Sequence, residues 1–194
     1  MIADMQCQVP GSRLTYFMGE IKIIGMIRFV RNLVFLCLIF LLGYIFGIKE
    51  VRFFKIVSSS MEPTLQVGDR IASVRKDRLR RHDIVVLQAP SGERERLVKR
   101  VIGLPHETVE VKDGKVFVNG EKINERYIKE SPAYKLKVET GENGYFLLGD
   151  NRNESEDSSS WGPVDGELIM GRIFCRYWPS RKFRLFSGFS IFNR

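Results

Sequence analysis

Apolar and polar positions change rhythm once along this chain. From residue 33 to 48 no side chain is charged, and the run Leu33-Val34-Phe35-Leu36-Cys37-Leu38-Ile39-Phe40-Leu41-Leu42 is apolar on every face rather than along one stripe. As a helix this stretch is roughly 24 Å long, and snorkelling of Arg31 lets Phe29 and Val30 join it, for roughly 30 Å in all, the thickness of a bilayer core. The pattern predicts one transmembrane helix over 29–48, preceded by a leader over 1–28. The residues that follow, Gly47-Ile48-Lys49-Glu50-Val51-Arg52, lack a small-x-small cleavage site, so the span is expected to persist as an anchor.

Beyond residue 49 the rhythm becomes short alternating runs bounded by Gly, Pro, Asp and Asn, the signature of antiparallel β-structure. Ile84-Val85-Val86-Leu87 reads as a buried strand and 97–102 as another. Val109 to Lys112, then Asp113-Gly114, then Lys115 to Val118 predicts a hairpin, because Asp-Gly supplies the two positive φ angles of a type I′ turn. Asn119-Gly120 repeats the device. Tyr145 to Leu148 and Ile169 to Phe174 complete the expected strands. With no long helical period, repeat or low-complexity linker after the span, 49–194 is expected to be a single, mainly β domain.

Composition narrows the partners. At 194 residues and 44% hydrophobic content the chain has room for one ordinary domain plus an anchor. A net charge of +8 admits nucleic acid or an anionic membrane surface, and the apolar span decides for the lipid bilayer and against nucleic acid. Arg13, Lys22, Arg28 and Arg31 before the span argue for a cytoplasmic N-terminus, although Lys49, Arg52 and Lys55 after it reduce the asymmetry. Cys7, Cys37 and Cys175 would then occupy three compartments, so no intrachain disulfide is expected, and Cys175 reads as a strand packing residue. Two histidines, His82 and His106, are too few for a zinc site. Nothing in the sequence fixes an oligomeric state.

The candidate chemistry lies in two short segments. In Ser58-Ser59-Ser60-Met61-Glu62-Pro63-Thr64-Leu65, a strand period of two places Ser58 and Ser60 on one face, where one hydroxyl can attack a carbonyl and the other can donate to the resulting oxyanion. Three serines alone suit a solvated linker. The flanking strand-like Phe53-Phe54-Lys55-Ile56-Val57 and the apolar Met61 and Leu65 argue otherwise. In Leu97-Val98-Lys99-Arg100-Val101-Ile102-Gly103, alternation gives Lys99 two apolar same-face neighbours, Leu97 and Val101. Burial disfavours the ammonium, and a neutral amine can accept a serine proton. A lone strand lysine would more often snorkel to a carboxylate; its combination with the serine segment reverses that reading.

A third segment, Gly149-Asp150-Asn151-Arg152-Asn153-Glu154-Ser155-Glu156-Asp157-Ser158, completes a pattern that resembles the type I signal peptidases, membrane-bound Ser/Lys proteases that remove signal peptides from exported proteins. The resemblance covers residues 53–178 and rests on three boxes in order: Ser-Met-x-Pro-Thr-Leu at 60–65, Lys-Arg-Val-Ile-Gly-Leu-Pro at 99–105 and Gly-Asp-Asn-Arg at 149–152. It implies a signal-peptidase-like antiparallel β domain with Ser60 as nucleophile and Lys99 as general base. Ser58 and the Ser60 N–H would form the oxyanion hole, and Ser155 would orient the lysine amine. Gly149 would leave room beside that amine. Asp150 and Asp157 would be structural, with Arg100 and Arg152 as available cations.

The same resemblance implies a requirement for small residues at the first and third positions before the scissile bond, with Phe54, Ile56, Val57, Met61, Leu65 and Val98 walling the two pockets. It places the chain in the plasma (cytoplasmic) membrane as a single-pass protein, its catalytic domain extracytoplasmic, its partners the signal peptides of secreted preproteins, with no cofactor. Five positions depart from the family pattern: Val57, Ser59, the pair His106-Glu107 in place of Gly-Asp, and Ser159 in place of an arginine. Basic residues interleaved with phenylalanine over 183–192 suggest an interfacial contact or a packed terminal strand. Two other readings share part of the pattern. Self-cleaving repressors related to LexA use Ser/Lys chemistry on a similar fold but carry a DNA-binding module, and an inactive membrane-anchored protein could retain peptide affinity without hydrolysis.

Overall fold

The computed structural model describes residues 12–45, 51–75, 78–92 and 95–186, with side-chain surroundings in the helix given for 25–44. Cys7, the residues expected to close the span (46–48), part of the basic run near 76 and most of the Phe-rich end (187–194) lie outside the described residues. The chain divides into two units, Met1–Lys49 and Glu50–Arg194.

The first unit is one helix, α1, Ser12–Ile45. It runs without interruption through the boundary expected at 28, so the leader and the span share one element. Within it Gly25–Tyr44 is long and apolar enough to cross a membrane, and large side chains such as Phe35, Leu36 and Phe40 stand exposed on all sides, as a lipid-facing surface would.

The second unit is built from antiparallel strands: β1 Arg52–Lys55, β2 Arg70–Val74, β3 Ile84–Gln88, β4 Arg96–Gly103, β5 Thr108–Lys112, β6 Lys115–Val118, β7 Glu121–Lys122, β8 Leu136–Glu139, β9 Gly144–Leu148, β10 Val164–Asp165, β11 Ile169–Trp178 and β12 Arg184–Leu185. One sheet has the order β1-β2-β11-β3-β4-β9-β10 with β12 on β11, and a four-stranded sheet has the order β7-β6-β5-β8. A short helix, α2, Ser158–Trp161, follows β9. The expected hairpin forms with Lys112 opposite Lys115, and Asp113 and Gly114 adopt φ of 50° and 68°; Asn119 and Gly120 likewise turn with positive φ. β11 is longer than its expected 169–174 because it serves two partners. Its first half pairs β3 and its second half β2, with register shifts that bend it between them.

Alternation on β3 and β4 divides the core. Ile84 and Val86 join Ile56, Met61, Leu65, Ile71 and Ile173 in one apolar cluster, whereas Val85 and Leu87 join Val101, Leu147, Val164 and Ile169 in another. A third cluster, around Val109, Val116, Phe146 and Leu148, ties the smaller sheet to β9. Cys175 is buried in β11 as a packing residue, and burial raises its thiol pKa.

The most deeply buried cation among the described residues is Arg152, 1% exposed, held by a bidentate pair with Glu125 and by donation to the Gly149 carbonyl. Removing its guanidinium leaves Glu125 desolvated without a counter-ion. We expect Arg152→Leu to lose about 3–5 kcal/mol of stability, read from chemical denaturation of the detergent-solubilised protein, with most of the loss recovered in the Glu125→Gln/Arg152→Leu double variant.

Candidate active site

The serine segment leaves the sheet before it reaches Ser60. β1 ends at Lys55, and Ile56 continues the pairing through its N–H to the Asp69 carbonyl. Residues 58–60 are therefore loop, and Ser60 opens a tight turn closed by Glu62 N–H to Ser59 O (3.0 Å) and Leu65 N–H to Met61 O (2.9 Å). Met61 and Leu65, 1% and 0% exposed, peg that turn into the first apolar cluster. A second clamp comes from Asn151, whose N–H donates to Ser60 O at 3.0 Å and whose amide nitrogen donates to Ser59 O at 3.4 Å. The backbone of Ser60 is thus fixed from two sides, while its own N–H donates to Ser58 Oγ at 3.3 Å. The two groups expected to bind an oxyanion lie next to each other.

Lys99 sits in mid-β4 opposite Val85 and is 2% exposed. Its Nζ donates to Ser155 Oγ at 3.1 Å. Burial pushes its pKa below the usual lysine value, against the opposing pull of Asp157, Glu156 and Glu95, in that order. Asp157 forms no ion pair with the amine. Its carboxylate accepts instead from Gly149 N–H (2.8 Å), Ser159 N–H (3.0 Å) and Ser159 Oγ–H (2.8 Å), which disperses its charge among neutral donors and caps α2. Ser159 thus turns a departure from the family pattern into a partner. Of the two available cations, Arg100 takes Asp150, whereas the Arg152 guanidinium is committed to Glu125, a residue that carried no motif signal.

Gly149 joins the three segments. Continuing the register of Arg100 with Leu148 places it across from Lys99. A Cβ there would overlap Ser155 Oγ and stand 2.5 Å from Ser60 O and 2.6 Å from Ser155 Cβ. Only glycine lets the serine turn, the lysine strand and the Ser155 loop converge. Behind them Asp150, fully buried, takes Arg100 in a bidentate pair at 2.7 and 2.6 Å, and Arg100 also donates to His82 O and stacks over Tyr127. The His106-Glu107 departure is accommodated as well. His106 adopts a glycine-like φ of 63°, and Glu107 pairs with Arg81 while accepting Leu104 N–H.

Ser58, Ser60 and Lys99 line one cleft of about 700 Å³, together with four of the six expected wall residues, Ile56, Val57, Met61 and Val98. The other two do not reach it. Leu65 is wholly internal, and Phe54 packs against the first cluster with Arg96 over its ring. Leu97, Trp161, Glu95, Glu154 and Glu156 line the cleft too and were not anticipated. Leu97 flanked the lysine in sequence, and Trp161 stands just beyond the third box; neither position was weighed as a wall.

Comparison with known proteins places the chain in a family. A family model described as signal peptidase, peptidase S26, matches residues 26–178. The chain belongs to that signal peptidase family. It is 42% identical over 142 residues to a probable signal peptidase I-2 of Synechocystis, covering 68% of this chain and 64% of that one. A signal peptidase I of Leptolyngbya laminosa is 41% identical over 157 residues, 74% and 76% of the two chains. The thylakoidal processing peptidase 1 of Arabidopsis thaliana is 38% identical over 142 residues, which span 66% of this chain and 42% of that longer protein. A crystal structure of a signal peptidase I from Enterococcus faecalis aligns with 50% of this chain and 97% of that one at 31% identity and a TM-score of 0.46.

The electrostatics of this family member's lysine can be measured directly. We expect the Lys99 amine, followed by NMR of labelled lysine, to titrate below the usual value of about 10.4. Glu156→Gln removes a negative charge that favours the ammonium, so it should move that titration lower still. An unshifted lysine would contradict the burial.

Proposed function

We propose that this protein is a membrane-anchored signal peptidase I that cuts preproteins after small-x-small sites with Ser60 and Lys99. The observation that carries the proposal is the buried Lys99 amine, bonded to a neutral hydroxyl rather than to a carboxylate, in the cleft that also holds Ser60. An amine in that state can serve as a base near neutral pH.

The reaction follows from the donors and acceptors in place. Ser60 Oγ attacks the scissile carbonyl carbon as Lys99 Nζ takes its proton, and the carbonyl oxygen becomes an oxyanion. Ser60 N–H and a rotated Ser58 hydroxyl turn from each other to that oxyanion. Collapse of the tetrahedral species breaks the C–N bond, and the lysine ammonium returns the proton to the leaving amine. Lys99 then takes a proton from the water that attacks the acyl carbon and returns it to Ser60 Oγ as the ester C–O bond breaks. Ser155, by accepting a hydrogen bond from the amine, directs its lone pair toward Ser60.

β4 supplies the surface for the substrate. Residues 96–99 pair with β3 on one edge, and on the other β9 pairs from Arg100 onward with Gly149 across from Lys99, so the edge of residues 96–98 is open among the described residues. An extended peptide can add there as a strand. Its small residues would face Val98, Ile56, Val57 and Met61. The helix α1 would be the single span, with 1–28 as leader, 29–48 as span and 49–194 outside the cytoplasm, in the plasma membrane.

In detergent micelles with a precursor carrying an Ala-x-Ala site, Ser60→Ala and Lys99→Met should each lose about 10⁴-fold or more of the cleavage rate while keeping the parent thermal transition. Activity needs the neutral amine, so the wild-type rate should climb with pH through the lowered Lys99 pKa. Near-normal cleavage by either folded variant would refute the pair.

A further inference from the structure

The cleft has two unlike walls, and strand geometry determines which substrate residue meets each. Val98 packs with the cluster of Ile56 and Met61, whereas Leu97, its neighbour on β4, packs with the cluster of Val101 and Trp161. Both residues line the cleft, so its walls belong to opposite faces of the same sheet. A peptide added to the open edge of β4 alternates in step with it. If its first and third residues before the scissile bond face the Val98 wall, the middle residue faces Leu97 and Trp161.

The walls differ in what they can accept. On the Val98 wall Ile56 and Met61 are 5% and 1% exposed and leave little apolar surface for a large side chain to cover, so the apolar surface there is that of Val98, half-buried like Leu97, and of the exposed Val57. Leu97 and Trp161 are only half-buried, so a leucine side chain and an indole both keep apolar surface facing the cleft. Trp161 is also held in place. Its helix α2 is capped by Asp157, the same carboxylate that binds Gly149, and Ser158 Oγ accepts Leu147 N–H at 3.0 Å. The indole is therefore anchored to the frame that positions Lys99.

We propose that Leu97 and Trp161 form the subsite for the middle residue of the small-x-small motif, and that Trp161 makes this enzyme favour a large apolar side chain there. The inference rests on the signal peptidase reading above and specifies its substrate. A large middle residue covers the exposed indole and leucine, whereas glycine leaves them wet. Because the subsite is open on one side, the gain is smaller than in an enclosed pocket.

The test uses the full chain in detergent micelles and fluorogenic peptides of the form Ala-x-Ala with x as Gly, Ser, Leu or Phe. For the wild type, kcat/KM for Leu and Phe should exceed that for Gly by about tenfold. In Trp161→Ala the ratio should fall to about twofold or less, and Trp161→Phe should retain most of it. Leu97→Ala provides a second reading of the same wall should Trp161→Ala lose its thermal transition. Replacing the first-position Ala by Leu should block cleavage in every variant, since that residue meets the other wall. An unchanged Leu-to-Gly ratio in folded Trp161→Ala or Leu97→Ala, or a wild type indifferent to x, overturns the subsite alone. Failure of the wild type to cut any Ala-x-Ala peptide overturns the peptidase reading and the subsite with it.

Discussion

A buried amine held below its usual pKa is the constraint around which this β domain is arranged. Burial of Lys99 alone would favour the neutral form, but three acids, Asp157, Glu156 and Glu95, act in the opposite direction. The fold limits their effect by giving the nearby buried charges other partners. Asp150 is matched to Arg100, Arg152 to Glu125, and Asp157 to two backbone N–H groups and a serine hydroxyl. With Arg100 and Arg152 both committed, the buried cations are matched without calling on Asp157, and the two ion pairs stand outside the amine's own hydrogen bonding. A direct pair between Asp157 and Lys99 would be stronger locally and would remove the base.

The same groups that manage charge also set distances. Gly149 gives its N–H to Asp157 and its carbonyl to Arg152, so the residue across from Lys99 is held at both ends by the buried polar network. The next residues supply Asp150 for Arg100 and the Asn151 N–H for Ser60 O. One short segment thus sets the backbone of Ser60, the space beside Lys99 and the pairing of its neighbouring arginine. Loss of any one contact would be transmitted to the others, which explains why the third box is dense in polar residues although few of them reach the cleft.

Local chemistry was readable from residues, and long-range pairing was not. Asp113-Gly114 predicted its hairpin because the turn depends on two backbone angles that those residues adopt cheaply. Lys99 was readable because alternation needs only its neighbours. By contrast, β2 carries no signal: Ile71-Ala72-Ser73 is buried without interruption, and its small and polar members give neither alternation nor the continuous apolar run that marks Ile84 to Leu87. The serine segment was expected to run as strand up to Ser60, but the strand ends at Lys55 and the loop that follows is held by Asn151, far away in sequence. Leu65 was misassigned to a pocket for the same reason, since the turn points it into the core. Glu125 had no pattern at all, and only the buried guanidinium reveals why it is there.

A reader of peptides built on a sheet edge must handle two faces, because an added strand presents its side chains to both. A wall of tightly packed aliphatics on one face excludes bulk, and selection on that face constrains alternate residues only. The residue between them is left to whatever stands on the opposite face, here a half-exposed leucine and an indole fixed by the cap that also restrains Asp157. Lys99 lies on that second face with Leu97, so the apolar surface that lowers the pKa of its amine adjoins the surface a middle residue would touch. Covering that wall with substrate would remove water from the approach to Lys99 and strengthen the desolvation on which the base depends.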